Sequence, residues 1–357
     1  MKVLVLLPYP RGRVPGQRYR FEQWLPHLEA AGVQCDVREL LTAAEQDVLH
    51  SARPFPAKVA ALAGSVARAV RSVTASRGCD AVWLYRTLLL AGPGLIEAAL
   101  AQTGPPIVYD FDDAIWLTKT VEANRAISFL KFSGKTAALC RRAKAVVVGT
   151  AHLAEYARRF NPDVSIVPST VDAEVYTPAA PRTGGPLILG YSGSPTTIEY
   201  LDSIAPALRR VAQTADIELH VMGAEFRLPG VKVVATPWSA ERELGELRSY
   251  DIGLMPLVDD PWTQGKGGMK ALLYMSVGVP VVASPVGATT DILTDGREGI
   301  LCRTEDDWVA ALQQLVEDST LRRRLGQAGR ETVVTRYSPR VQVPRVVEIL
   351  ERAVRGR

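Results

Sequence analysis

The sequence predicts an α/β protein made of two Rossmann-like, doubly wound domains that face each other across a cleft. Three observations carry this. The chain is 357 residues long, too long for one typical core and right for two α/β domains. Short, nearly continuous apolar runs alternate with helical patterns in both halves, the grammar of parallel sheets buried on both faces. Between the halves lies PSTVDAEVYTPAAPRTGGP, residues 168–186, whose prolines and paired glycines have the composition of a linker.

The first half places strands at Val3–Leu7, Val33–Val37, Ala81–Tyr85, Ile107–Asp110, Ala145–Val148 and Val164–Val167. Between the first two, Phe21, Trp24, Leu25 and Leu28 recur at helical spacing, and Gly32 ends that helix. His152 begins a helix after Gly149-Thr150, where a surface or capping role suits it best. The second half places strands at Leu187–Tyr191, Glu218–Met222, Val231–Val234, Ile252–Met255, Val279–Ala283 and Ile300–Cys302. A last helix follows Pro339 and runs to about Arg355. The expected division is a first domain over 1–170 with the helix 340–357 packing back on it, a linker over 171–186, and a second domain over 187–338.

Composition narrows the function. Apolar content of 47% and charged content of 22% describe an ordinary globular chain. Cys35, Cys79, Cys140 and Cys302 lie far apart with no paired spacing, which fits reduced thiols in a cytoplasmic protein and neither a disulfide framework nor a zinc site. The opening apolar run is cut at Pro8, too short for a signal peptide, and no run approaches the ~20 apolar residues of a membrane span. From Leu321 onward there are ten arginines and three acids, a local charge of +7 that leaves −3 on the rest. Basic and aromatic residues are not mixed as a nucleic-acid binder requires, so no nucleic-acid partner is expected. A solvated helix face and peripheral contact with an anionic membrane both remain open for this region. No G-x-G-x-x-G follows the first strand and no G-x-x-x-x-G-K-[ST] occurs, which removes the main support for NAD binding or a P-loop.

The most informative stretch runs from Asp251 to Leu293: strand, glycine loop, helix, strand, second glycine turn. Its loop Gly265-Lys266-Gly267-Gly268 ends where a helix begins at Met269, and Lys270 follows one turn on. Backbone N–H groups, a helix N-terminus and two lysines are what a diphosphate needs. Gly193, Ser194 and Thr197 in GYSGSPTT form a second strand-to-helix turn, serving either as caps or as a phosphate or sugar contact. In the first half, Gly16, Arg18 and Arg20 of PGQRYR could hold an anionic acceptor through a bidentate fork, or form salt bridges on an exposed helix face. Asp110, Asp112 and Asp113 of YDFDD stand at a strand end, as caps or as contacts to sugar hydroxyls; with no histidine nearby, a metal site is not expected. Trp238, after Pro237, is a candidate wall for a nucleotide base, or ordinary packing.

Taken together, the chain resembles a GT-B glycosyltransferase of the retaining family 4, the glycosyl transferases group 1. The resemblance rests on DIGLMPL, KALLYMSVGVPVVASPVG and the DG-x-x-GIL of Asp295 to Leu301 in the second half. In the first half it rests on PGQRYR, YDFDDAIW and PSTVDAEVYTP. It implies a nucleotide-sugar donor held by the second domain at Gly193, Ser194, Thr197, Trp238, Lys266, Gly267, Gly268, Lys270 and Asp291. It implies an acceptor, a glycan, lipid carrier or small molecule, held by the first domain near Gly16, Arg18, Arg20 and Asn124. Asp112 stands about where many relatives have a histidine facing the sugar, so it and Asp113 are the catalytic candidates. Transfer would retain the anomeric configuration, with no metal and no cofactor beyond the donor co-substrate, in cell-envelope polysaccharide synthesis in the cytoplasm, with peripheral contact at the inner face of the membrane left open.

Two departures qualify this. Family 4 usually carries two glutamates eight positions apart around the donor helix, where this chain has Gly265 and Leu273. Asp291 stands where it could partly replace the missing ribose acid. The basic pair usual after the first strand of the second domain is also missing from GYSGSPTTIEYL. Two other readings therefore stand beside the transferase: a GT-B-like sugar-nucleotide epimerase or hydrolase, and a degenerate, non-catalytic GT-B binding subunit.

Overall fold

The computed structural model describes residues 1–51, 53–90, 92, 94–117, 132, 134–180, 182 and 184–356. The chain divides into two compact units, one of Met1–Ser169 with Gln342–Arg357, the other of Thr170–Val341.

The first unit is built on six parallel strands: β1 (Lys2–Leu7), β2 (Gln34–Glu39), β3 (Ala81–Tyr85), β4 (Ile107–Phe111), β5 (Ala145–Val148) and β6 (Val164–Ile166), in the order β2-β1-β3-β4-β5-β6. Each matches a run expected from the sequence, with ends displaced by three residues or fewer. One face packs on Phe21, Trp24, Trp83 and Leu28, with Trp24 and Trp83 edge to face at 6.0 Å between centroids. Val343, Val346, Ile349 and Leu350 of the last helix, Pro339–Arg355, join this same cluster. The helical pattern after β1 is broken into three pieces: a helix Pro15–Arg20, a 3₁₀ turn Glu22–Trp24 and a helix Leu25–Ala30. Pro15 and Pro26 explain the division, since each sits in the first turn of its helix, where no backbone N–H is required.

The second unit repeats the plan with β7 (Leu187–Ser192), β8 (Ile217–Met222), β9 (Lys232–Thr236), β10 (Ile252–Met255), β11 (Val281–Ala283) and β12 (Gly299–Leu301), ordered β12-β11-β10-β7-β8-β9. Its neighbouring strands all pair in parallel. In both sheets the strand order reverses at the first strand, beside β1 in one and β7 in the other. The carboxyl ends of the strands there are where doubly wound sheets hold ligands.

The segment 170–180 belongs to the second unit and is fastened to it by backbone carbonyls. Arg330 donates to the carbonyls of Ala173, Tyr176 and Ser276. Other arginines of the basic C-terminal region also have internal partners. Arg322 donates to the carbonyls of Leu315 and Val316 at the end of the helix Glu305–Glu317, where a cation meets the negative end of the helix. Arg336 donates to the carbonyl of Asp291, and Arg352 pairs with Asp163 at 2.8 Å. Among the described residues no helix is long and apolar enough to cross a membrane.

Candidate functional site

In the second unit the donor-site candidates converge at the ends of β7 and β10. The helix Met269–Ser276 begins at Gly268, whose φ of +67° lies in the left-handed region. A Cβ there would also lie 2.3 Å from Ile292 Cδ1, so glycine meets both demands. Lys270 reaches back from the first turn across the sheet end to Tyr191. Its Nζ donates to the Tyr191 hydroxyl at 2.7 Å and lies 3.9 Å from the ring centroid. Among the described residues no carboxylate pairs with it. Burial holds its pKa well below the usual lysine value, and the nearby Lys266 lowers it further. Lys266 itself packs over the Trp262 ring at 5.3 Å. Gly267 is half-buried between Lys266 and Gly268.

Tyr191 ties this lysine to the other glycine turn. Its hydroxyl donates to the carbonyl of Thr197, and a Cβ on Gly193 would lie 2.4 Å from its ring and 2.9 Å from Thr197 Oγ1. Gly193 is therefore required by close approach. The backbone N–H of Ser194 donates to Thr197 Oγ1 at 3.0 Å, closing the turn on itself. Thr197 thus braces the loop, and the segment that follows is a 3₁₀ helix, Ile198–Ile204, with no side-chain cap bond. Beneath, the Ser192 N–H donates to the Tyr274 hydroxyl at 2.8 Å, which fixes the end of β7 to the lysine-bearing helix.

Trp238 and Asp291 are held by neighbours of their own. Trp238 follows β9, and its Nε1 donates to Glu243 at 2.8 Å; Tyr176 donates to the second Glu243 oxygen at 2.7 Å. Its indole edge is thus turned to a buried acid of the helix Ala240–Ser249. Asp291 is exposed in the short helix Thr289–Ile292, and its carbonyl accepts from Arg336 and Tyr337. Leu273 is 4% exposed and Gly265 is buried, so neither position offers a polar side chain.

In the first unit the candidates meet at the ends of β3 and β4. Asp112 is 7% exposed; its Oδ1 accepts from the Tyr85 hydroxyl and from Arg86 Nε, both at 2.7 Å. Asp113 accepts from Arg86 Nη2 at 2.6 Å. Arg86 thus forks between two carboxylates, and it adopts φ +57°, the one positive-φ residue other than glycine in the described backbone. Gly16 packs onto this group: a Cβ there would lie 2.5 Å from Asp112 Oδ2 and 2.9 Å from both Arg86 Nη2 and the Tyr85 hydroxyl. Sequence reasoning passed over Tyr85 and Arg86. The available signal was an arginine immediately after a buried strand, at the strand end nearest the reversal.

Arg20 has a different role from the acceptor contact expected of it. It is wholly enclosed, donating to Asp110 at 2.6 Å and to the carbonyl of Val167 at 2.6 Å. An exposed helix face is equally ruled out for it. Asp110 also accepts from Trp83 Nε1; burial pushes its pKa up to about 6 against the opposing effect of Arg20. Arg18 is half-buried and lies 4.9 Å from the Tyr19 ring centroid. His152 is in the first turn of the helix Ala151–Arg158, whose cap is Thr150. Its ring stacks 6.2 Å from Trp116. Asn124 lies outside the described residues. Among the described residues no cluster of three or more His, Cys, Asp or Glu could hold a metal ion.

Two six-stranded parallel sheets, each with its polar cluster at the strand ends beside the reversal, define the GT-B class. Solved structures agree on the fold. Sucrose-phosphate synthase from Thermosynechococcus elongatus superposes with a TM-score of 0.73 over 100% of both chains at 15% identity. Anabaena HepE, solved in complex with UDP, gives 0.68 over 98% of this chain and 100% of that one, at 14% identity. The family model of the glycosyl transferases group 1 matches residues 187–318, within the second unit. Among characterised sequences the chain is similar to D-inositol 3-phosphate glycosyltransferase of Stackebrandtia nassauensis, 33% identical over 47% of this chain and 44% of that protein. It is also similar to alpha-maltose-1-phosphate synthase of Mycolicibacterium smegmatis, 27% identical over 53% and 41%. The matched region thus spans under half the length of either relative.

Proposed function

We propose that the protein is a glycosyltransferase that moves a sugar from a nucleotide-sugar donor, bound by the second unit, to an acceptor bound by the first. The observation that carries this reading is Lys270: a half-buried lysine with depressed basicity and, among the described residues, no carboxylate partner, in the first turn of a helix. A cation is unfavourable at a helix N-terminus, so an anion bound there gains from the helix, from Lys270 and from Lys266 together. A diphosphate supplies that anion. As the sugar–phosphate bond breaks, negative charge grows on the leaving oxygen, and cations already in place stabilise it without reorganisation. The transfer is proposed to follow the retaining, metal-independent course of family 4. UDP is the first nucleotide to test, because HepE was solved with it.

In the first unit Asp113, half-buried beside the enclosed Asp112, is the carboxylate proposed to contact sugar hydroxyls. Arg86 would orient it, and Arg18 is the basic residue proposed for an anionic acceptor. The acceptor class proposed is a glycan, a lipid-linked sugar or a small molecule, and the location cytoplasmic. A non-catalytic binding subunit is the second reading, favoured by Leu273, which leaves the usual ribose-binding position apolar.

Calorimetry with UDP, GDP, ADP, TDP and CMP, followed by incubation of the matching sugar donors with candidate acceptors, tests the proposal. Nucleotide binding with donor turnover supports the transferase. Binding without turnover supports the subunit, and no binding of any nucleotide overturns both.

A further inference from the structure

The helix Phe55–Ser76 is amphipathic in the reverse of the usual sense. Its inward face carries Lys58, Ala61, Ser65, Ala69, Ser72 and Ser76, all buried. Its outward face carries the large apolar residues: Phe55 is 56% exposed, Val59 47%, Val66 38% and Val70 51%. At about 100° per residue these four fall within one sector some 60° wide, and the exposed Ala63 and Ala67 extend it. Single exposed apolar residues are ordinary, but a stripe along one helix marks an interaction surface.

The charge around the stripe selects its occupant. No Asp or Glu occurs between Asp47 and Asp80, whereas Arg53, Arg71 and Arg77 stand exposed at the two ends and along one edge of the stripe. Arg68, on the inner side, is already paired with Glu45. A second copy of the chain would oppose arginine to arginine with no acid on either helix to answer them. An anionic lipid surface answers both features, accepting the apolar stripe among its acyl chains and the arginines at its phosphates. The helix also carries Lys58, Arg68 and Arg71 within its length and is not apolar enough to cross a bilayer, so it would lie on the surface.

We propose that Phe55–Ser76 is a membrane-surface helix that docks the first unit on anionic lipid, distinct from the basic C-terminal region. The proposal does not depend on the glycosyltransferase reading, because vesicle binding is measured without nucleotide. The test is co-sedimentation of the full chain with vesicles of equal phosphatidylglycerol and phosphatidylcholine, and with phosphatidylcholine alone. Binding is expected to the first and to fall to background on the second. Val66→Glu/Val70→Glu and Arg71→Glu/Arg77→Glu should each weaken it about tenfold or more, as loss of apolar contact and of phosphate attraction requires. Both pairs are exposed, and an unchanged melting temperature in either confirms that the fold is intact. Arg323→Glu/Arg340→Glu, in the C-terminal region, should leave binding unchanged.

Three results would overturn the proposal: no binding to anionic vesicles, binding untouched by both helix variants, or binding lost only in the C-terminal variant. A wild-type dimer in sedimentation velocity that ignores vesicles and dissociates on Val66→Glu/Val70→Glu would instead assign the stripe to a second copy.

Discussion

Replacing Lys270 with methionine is the sharpest test of the donor site, because the structure separates its effect on binding from its effect on folding. Methionine keeps the unbranched stem, and Tyr191 keeps the bond from its hydroxyl to the Thr197 carbonyl, so no buried polar group is orphaned. The ammonium that is lost is half-desolvated and lies near a second lysine, so the unliganded protein should keep its stability to within about 1 kcal/mol. Binding should suffer much more. A charged hydrogen bond contributes about 1.5–3 kcal/mol, so affinity for the nucleotide should fall roughly 10- to 150-fold. The protonation sign follows from the same geometry. Burial and Lys266 depress the pKa in the free protein, and a bound diphosphate raises it again. Between those two values the complex holds a proton that the free protein lacks. Binding should therefore take up a proton and weaken as pH rises through that window. Isothermal titration at a series of pH values from 8 upward, each in two buffers of different ionisation enthalpy, measures the uptake across the window, since the second phosphate ionisation, near pH 6, is then complete. Zero uptake in the wild type, or equal uptake and affinity in Lys270→Met, would refute the assignment of the phosphate to this lysine.

Three further changes probe the supports of the two sites. Gly193→Ala drives a methyl into the Tyr191 ring and Thr197 Oγ1; a stability loss of about 1–3 kcal/mol and weaker nucleotide binding are expected in denaturation and titration, and wild-type behaviour in both would sink the close-approach argument. Leu273→Glu places a carboxylate in an apolar helix position; it should lower stability by about 2–4 kcal/mol without tightening nucleotide binding, and tighter binding would show that a ribose is within reach after all. Arg20→Met leaves Asp110 enclosed with only the Trp83 N–H, at a cost of about 3–5 kcal/mol. Because burial already holds the Asp110 pKa above its unfolded value, protonation relieves the uncompensated charge. The loss should be larger at pH 8 than at pH 5, and a pH-independent loss would contradict it.

The central strands were legible because they are short, nearly continuous apolar runs of the length that a doubly covered strand demands, whereas the edge strand β2, QCDVRE, was placed by the valines in and beside it and carries no buried residue. The start of the lysine-bearing helix was legible for a related reason: consecutive glycines before an apolar periodic segment mark a left-handed turn and a helix start, and the helix begins at Met269 as expected. The partners of charged groups were not legible. Arg20 and Arg18 look equivalent in PGQRYR, but their helix turns Arg20 inward onto Asp110, a pairing across 90 positions that spacing cannot reveal. Arg86 was missed for the same reason, since its meaning comes from Asp112 and Asp113 on the neighbouring strand end. The helix Phe55–Ser76 was hidden by its composition, because alanine, valine and serine suit either face, and only the fold decides which one turns outward.

The two strand-end clusters differ in charge in a way that bears on which ligand each can hold. In the first unit each cation has an acid: Arg20 is joined to Asp110, and Arg86 to Asp112 and Asp113. That cluster carries three acids against two arginines, so it repels a diphosphate and offers carboxylate oxygens to hydroxyl groups. In the second unit Lys270 stands among Tyr191, the Gly268 helix start and Lys266, with no acid among the described residues paired to it. A buried charge without its counter-charge is costly, and a fold keeps one where a ligand supplies the missing partner. This balance supports the proposed assignment of the anionic half of a donor to the second unit and of a hydroxyl-bearing acceptor to the first. Because this division rests on the balance of charge at each sheet end, reversing it at one end should change what that unit binds. A Lys270→Glu variant should lose nucleotide binding altogether, beyond the loss in Lys270→Met, since repulsion then replaces a missing attraction. Equal residual affinity in the two variants, measured by titration, would show that charge at this position does not govern the site.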